Sequence, residues 1–293
     1  MSELQFTVPA EQSGKRIDSW LAEQIEGLTR SAAQNLLSEQ AVSCNGQSLK
    51  KNYKLVGGEA ITVQLPELKE VDLKPENIPL DIVYEDADIV VEQCTGQRYI
   101  ASGLSGKNIQ INGIAGNALG AYLADGTIRT SGNAQEATGD TMNDGTIIVN
   151  GNCGDGTGYG MRGGKIFIRG NVGYRAGIHM KAYREKKPLL VVGGNAGSFL
   201  GEYQAGGTII VLNLNGEESI VGNFCGTGMH GGKMYLRCEK PPATVSEKVD
   251  VRIAGEADLR ELYGPIEEFC SYFGYDPKVV LDHPFYVLEA DTK

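Results

Sequence analysis

Histidine is scarce in this chain, with 3 among 293 residues, and the 6 cysteines include no C-x-x-C pair. Zinc knuckles and cysteine-ligated iron–sulfur clusters need closer ligand spacing, so the sequence predicts no metal site of its own. Cys44, Cys94, Cys153, Cys225, Cys238 and Cys270 are scattered, which predicts free thiols in a reduced, cytoplasmic protein. No apolar run approaches the roughly 18 residues of a membrane-spanning helix. The opening MSELQFTVPAEQSGKR lacks the basic start and apolar stretch of a secretory signal. No glycine-rich run ends in Gly-Lys-Ser/Thr, and this excludes a Walker phosphate loop, even at GDGTGYGMRGG over 154–164. Asp125, Asp140, Asp144 and Asp155 lack the short fixed period of calcium-binding nonapeptide rolls and read as turn residues. Cys225 and His230 have no third group to orient them, so a packing role is favoured over a nucleophilic pair. With a net charge of −10, non-specific binding of nucleic acid by the whole molecule is disfavoured, although a local basic patch is not.

Glycine, by contrast, is abundant and phased. Of 40 glycines, 32 lie between Gly96 and Gly232. Gly113, Gly132, Gly151 and Gly170 open units 19 residues apart, and further units open at Gly194 and Gly222. Between them lie short alternating runs (TIRTS, TIIVN, KIFIR, TIIVLNL, KMYLR), the pattern of strands with one buried face. Nineteen residues are too few for a strand–helix–strand unit of about thirty. They suit one coil of a parallel β-helix, with glycines as structural corners that let coils stack closely. The pairs Gly132-Asn133, Gly151-Asn152 and Gly170-Asn171 suggest corners made by left-handed backbone. Two insertions, GIHMKAYREKKP and VLNLNGEES, lengthen later coils. Lys181, Arg184, Lys186 and Lys187 make the first of them basic.

These stretches, GNALGAYLADGTI, GNAQEATGDTMNDG, GYGMRGGKIFIRGNVGYRAGIHMKAY and GSFLGEYQAGGTIIVLNL, resemble the GXGXG domain family over roughly residues 96–290. The family includes the right-handed β-helix at the carboxy-terminal end of the glutamate synthase large chain and a related subunit of formylmethanofuran dehydrogenase. The resemblance implies a non-catalytic assembly subunit or domain of a glutamate-synthase-like oxidoreductase. Its partners would be amidotransferase and FMN-domain chains. FMN and the iron–sulfur cluster would reside in those partners, with no cofactor bound by this chain.

The amino-terminal part is different in kind. Ile17, Trp20, Leu21 and Ile25 fall at helical spacing, and a second helix follows with Thr29 or Ser31 as N-cap and Ala32, Leu36 and Leu37 inward. An Asn45-Gly46 turn and the run ITVQLP suggest a small β element. RIDSWLA, LTRSAAQNLL, KKNYKLVGGE and ENIPLDIVYEDADIVV resemble the S-four-type RNA-binding domain that opens large-subunit ribosomal RNA pseudouridine synthases. By that resemblance Arg16, Arg30, Ser31, Gln34, Lys50, Lys51 and Lys54 face RNA, and structured RNA becomes a second partner class. No Arg-Leu-Asp motif, the source of that family's nucleophilic aspartate, occurs anywhere in the chain. The alternative function is therefore an RNA-binding protein without pseudouridine synthase chemistry.

Beyond Pro241, Leu259, Leu262, Ile266, Phe269 and Phe273 lie at helical spacing, with Pro265 expected to start a second helix. The combined reading is mainly β. Residues 1–91 form a small α/β RNA-binding-type domain with an acidic connector, 92–240 a right-handed parallel β-helix, and 241–293 a helical cap over its open end. The first coil needs a cover, which the amino-terminal domain or a second copy in a homo-oligomer could supply. No catalytic residue, metal site or membrane contact is expected.

Overall fold

The computed structural model describes residues 2–25, 28–65 and 88–291. The acidic connector over 66–87 lies outside them. The chain divides into two compact units, Met1–Asp81 and Ile82–Lys293.

In the first unit, β1 (Ser2–Thr7), β2 (Val42–Cys44), β3 (Gln47–Ser48) and β4 (Ala60–Leu65) form an antiparallel sheet in the order β1-β4-β2-β3. Asn45 and Gly46 both adopt positive φ (47° and 78°), the demand of the tight hairpin turn between β2 and β3. Two helices, α1 (Ile17–Gln24) and α2 (Arg30–Ser38), contribute Ile17, Trp20, Leu21, Ala33, Leu36 and Leu37 to the core under this sheet. Thr29 caps α2, its hydroxyl accepting the Ala32 N–H at 3.2 Å. Ala33 is the buried alanine of this helix, while Ala32 is half-buried.

The second unit is a β-solenoid of about six turns. Eight parallel strands run in register: β5 (Ile89–Thr95), β6 (Lys107–Ile114), β7 (Gly126–Thr130), β8 (Thr146–Val149), β9 (Lys165–Ile168), β10 (Leu189–Val192), β11 (Ala205–Val211) and β12 (Gly231–Arg237). The repeat is what makes this possible. Ile109, Ile128, Ile147, Ile166, Leu190, Ile209 and Met234 pair successively and fill the lumen as one apolar column. A second side carries the small-residue ladder Ala115–Ala134–Cys153–Val172–Ala196–Val221, also buried. Cys153 is thus a packing residue, and burial pushes its thiol up to about 12.

The corner glycines are required, but for a reason other than left-handed backbone. Among Gly113, Gly132, Gly151, Gly170, Gly194 and Gly222, only Gly113 has positive φ. The others sit where a Cβ would strike the coil below, against Gly113 at Gly132, Asn133 at Gly151, Asn152 at Gly170, Asn171 at Gly194 and Ser198 at Gly222. Their neighbouring asparagines form a ladder. The Asn133 Oδ1 accepts the Asn152 N–H at 2.9 Å, Asn152 Oδ1 that of Asn171 at 2.8 Å, and Asn171 Oδ1 that of Asn195 at 3.0 Å. Asparagine satisfies backbone donors between coils rather than bending the chain itself.

The outward row of the same sheet changes character along the axis. Gln110 and Arg129 give way to Ile148, Phe167, Val191, Ile210 and Tyr235. There α3 (Glu256–Phe273) lands, burying Leu262, Ile266, Phe269 and Cys270 against those side chains. The helix therefore covers the flank of the solenoid rather than its open end. The edge of β12 is taken by β14 (Phe285–Ala290), antiparallel, with β13 (Val249–Ile253) beyond it. Pro265 does not start a second helix, because α3 runs through it. The missing N–H and ring clash cost about 3 kcal/mol in a helix interior. Burial of an apolar face, with Lys165–Glu268 (2.7 Å) and Tyr235–Glu261 (2.8 Å) bonding helix to sheet, offsets that cost. A short helix, α4 (Pro277–Leu281), follows. No helix among the described residues is long and apolar enough to cross a membrane.

Candidate functional site

In the first unit, Arg16, Arg30 and Gln34 converge on one fully buried carboxylate, Asp18. Arg16 donates from Nε to Oδ1 (3.0 Å) and from a terminal nitrogen to Oδ2 (2.9 Å). Arg30 Nε and Gln34 Nε2 reach the same Oδ2 at 3.1 Å and 2.7 Å, and the Ser19 N–H reaches Oδ1 at 3.0 Å. Burial works to raise the Asp18 pKa. The hydrogen bonds from Arg16, Gln34 and Arg30 outweigh it and hold the carboxyl well below the usual carboxylate range. The Arg16 and Arg30 side chains stay about half-exposed, at 46% and 55%. Asp18 therefore fixes two planar cations at the surface, where their remaining N–H groups can meet phosphate.

Arg16 also bridges to Lys54 and donates to the Lys51 carbonyl at 3.4 Å, which draws the 50–54 loop against α1. Lys50, Lys51, Lys54 and Ser31 are all exposed. Arg16, Arg30 and Gln34 are thus brought together with Lys51 and Lys54, Ser31 adjoins Arg30 on the first turn of α2, and Lys50 stands at the head of the loop. A cavity of about 720 Å³ is lined by Lys50, Lys54, Tyr53 and Cys44. Sequence patterns do not signal the organising role of Asp18, since the residue reads as one opposing charge among four.

In the second unit, the third side of each coil is a bend with three left-handed residues at alternate positions, the middle one a glycine (Gly120, Gly139, Gly158, Gly177 and Gly201). The outer two steps lie in register from coil to coil: Ala118 and Tyr122, Ala137 and Thr141, Gly156 and Gly160, Arg175 and His179, Phe199 and Tyr203. The later coils carry two aromatic rows. One is Tyr174–Phe199–Phe224, with ring centroids 5.1 and 4.9 Å apart, and the other is Tyr159–His179–Tyr203, at 5.9 and 5.1 Å. Between the rows lies a cavity of about 510 Å³ with Gly156, Ile178 and Glu202 in its lining. Arg175 lies over the Tyr174 and Phe199 rings and donates from Nε to the nearly buried Glu202 at 2.8 Å. That bond raises the Arg175 pKa. Superposing the repeats on their glycines would place 175, 199 and 224 in one phase and 179 and 203 in another, which is the signal the sequence offered.

The other sequence candidates resolve simply. Cys225 is buried, with its thiol pushed up to about 12 by burial, and His230 is exposed with its ring against the Gly228 carbonyl. The basic insertion folds back, Lys186 pairing with Asp144 at 2.7 Å and Arg184 lying over the Tyr183 ring. Among the described residues, no group of three His, Cys, Asp or Glu side chains is arranged to hold a metal ion.

Comparison with known proteins follows the same division. The GXGXG motif matches residues 86–288, and an S4 domain matches residues 15–61. An uncharacterized protein of Methanocaldococcus jannaschii is 48% identical over 202 residues, 66% of this chain and 77% of that protein. Ribosomal large subunit pseudouridine synthase D of Escherichia coli K12 is 38% identical over 90 residues, 30% of this chain. An uncharacterized RNA pseudouridine synthase of Bacillus subtilis is 36% identical over 91 residues. The chain spans only 28% and 30% of those two enzymes. Among solved structures, a chain of the formyltransferase/hydrolase complex of Methylorubrum extorquens, determined with methylofuran, aligns with a TM-score of 0.54 at 21% identity. That alignment covers 72% of this chain and 76% of the other, and it shows a shared fold.

Proposed function

We propose, from the premise that this chain belongs to the GXGXG motif family, that it is an assembly subunit around which catalytic chains of a multi-subunit enzyme are braced. The observation that carries this reading is the packed lumen. Isoleucine, valine, leucine and methionine columns fill the solenoid from β6 to β12, which makes it a solid rod whose outer faces are what it offers. The structural likeness to a chain of a multi-component complex supports the same reading. The partner class is glutamate-synthase-like amidotransferase and FMN-domain chains, which would make the whole an oxidoreductase of glutamate formation. FMN and an iron–sulfur cluster belong to those partners. The thiols here do not suit a cluster, since five of the six are buried and no three approach one another among the described residues. Co-purification of the full chain, and of residues 88–293, with amidotransferase and FMN-domain chains tests this. Stable co-elution of both is expected, and a chain that elutes alone from every mixture overturns the reading.

The S4 domain supports a second role, the holding of structured RNA, on the strength of the Asp18-centred cluster of guanidinium groups. Replacing Lys50 and Lys51 together by alanine is expected to weaken RNA binding about tenfold near physiological salt and to lower the salt slope by about 2. An unchanged slope in a salt titration would place the RNA, if bound, on another face.

A further inference from the structure

Four of the six rings in the two aromatic rows, those of His179, Phe199, Tyr203 and Phe224, stand on left-handed backbone, where glycine would cost least, as does Arg175 beside them. Arg175, His179, Phe199, Tyr203 and Phe224 have φ of 57°, 55°, 61°, 53° and 62°. Left-handed backbone costs an L-residue about 1–2 kcal/mol. Equivalent steps of the same chain do use glycine, at Gly103, Gly156, Gly160 and Gly228. Strain of this kind, repeated on one stripe and spent on outward-facing rings, points to a surface with a task. Phe224 and Tyr203 are 57% and 45% exposed, so core packing does not account for them.

The stripe is not uniform in charge. Where the rows meet the glycine steps, the neighbouring coils present Glu136, Asp140 and Asp155 at matching positions. None of these three carboxylates is in an ion pair among the described residues. Asp140 accepts a hydroxyl hydrogen bond from Thr141 and Asp155 a backbone one from Tyr174, which orders them without neutralising them. Among the described residues, the cation that lines the groove, Arg175, is already committed to Glu202. A groove walled by rings, with Asp155 in its lining and Glu136 and Asp140 in register on the coil alongside, complements a planar cation with an apolar stem.

We propose that this groove is a docking site for a segment of a partner protein that lays arginine side chains between the aromatic rows, against Glu136, Asp140 and Asp155. The inference rests on the assembly reading and names the face by which the rod is held. An arginine stem would lie over Ile178, and its guanidinium would stack on tyrosine and meet carboxylate, the pattern of residues that anchor protein interfaces.

The test uses the full chain and a fluorescent octa-arginine peptide, with octa-lysine and octa-glutamate as controls, followed by anisotropy at physiological salt. Gly156→Phe fills the groove. A Cβ there meets nothing within 4 Å, and the backbone already matches that of Phe199, so the fold should accept it. Octa-arginine is expected to bind more tightly than octa-lysine and octa-glutamate not at all. Gly156→Phe and the triple change Glu136→Gln, Asp140→Asn, Asp155→Asn should each weaken binding at least tenfold. Neutralising three distant carboxylates, Glu217, Glu218 and Glu239, should change it less than twofold. Equal loss from the near and distant triples, or none from Gly156→Phe, overturns the proposal in favour of diffuse electrostatic attraction. The same Gly156→Phe chain, mixed with the partner chains above, separates the two readings. If it still co-elutes with them the groove is wrong and the scaffold stands, whereas a wild-type chain that never co-elutes removes the scaffold itself.

Discussion

Gly194→Ala is expected to lower the stability of the solenoid by at least about 3 kcal/mol, through overpacking and the loss of hydrogen bonds between coils. The added methyl would lie against the Asn171 Oδ1 and the backbone of Gly170. That oxygen accepts the Asn195 N–H at 3.0 Å and the Asn215 side-chain amide at 2.9 Å, so moving it aside breaks two bonds at once. Neither coil can retreat, because each is clamped by strand pairing above and below. For a unit of this size the melting temperature should fall by roughly 6–12 °C. The informative control is Gly156→Ala, which has a positive φ of 62° but open space around its Cβ. It should cost only about 1 kcal/mol, the ordinary penalty of left-handed backbone. Thermal melts followed by circular dichroism decide the matter. Equal shifts for the two variants would mean that close stacking at the corners is not what these glycines provide.

That contrast also shows what the sequence could and could not convey. A strict 19-residue phase forces equivalent residues into stacked positions, so the solenoid and its strands were legible. Why the corners need glycine was not legible, since glycine serves both left-handed backbone and close approach, and only the coil beneath distinguishes them. In the later coils the outer left-handed steps fall on arginine, histidine, phenylalanine and tyrosine, residues that no turn rule would place there. Helix α3 misled for a related reason. Pro265 is a helix-starting signal by local rules, and the tertiary burial of Leu262, Ile266 and Phe269 on both sides of it overrides them. The apolar outer row from Ile148 to Tyr235 was the available clue that a helix lies along the flank, because a strand apolar on both faces needs cover on both. In the first unit, the helices, their cap and the Asn45-Gly46 turn were local and readable. The cluster around Asp18 was not, since its members are 2, 12 and 16 residues away and meet only in the folded domain.

Asp18 carries the largest expected effect in that domain. Asp18→Ala removes a buried carboxylate that receives donors from Arg16, Arg30, Gln34 and the Ser19 backbone. The loss is expected at about 3 kcal/mol, at the low end for a broken buried ion pair because both guanidinium groups keep solvent access. In a domain of this size that corresponds to roughly 12–24 °C in melting temperature. The chain's one tryptophan, Trp20, is buried in this core, so its fluorescence follows this unit without contribution from the solenoid. Asp18→Asn should cost less, and its deficit should depend on pH. Because the folded carboxyl is held below its ordinary value of 3.8, its stabilisation is fully present above that pH and is lost as pH falls below it. Wild type and Asp18→Asn should therefore differ at pH 7 and converge in acid; a gap that persists into acid would mean the charge on Asp18 is not what stabilises the domain. The same residue separates charge from geometry in RNA binding. Removing a negative charge strengthens purely electrostatic attraction to phosphate, whereas freeing Arg16 and Arg30 from a fixed anchor weakens binding that needs them in place. At a temperature where Asp18→Asn remains folded, RNA affinity is expected to fall despite the more positive surface. A rise would show that the cluster serves the fold alone and that the RNA is held by charge without positioning.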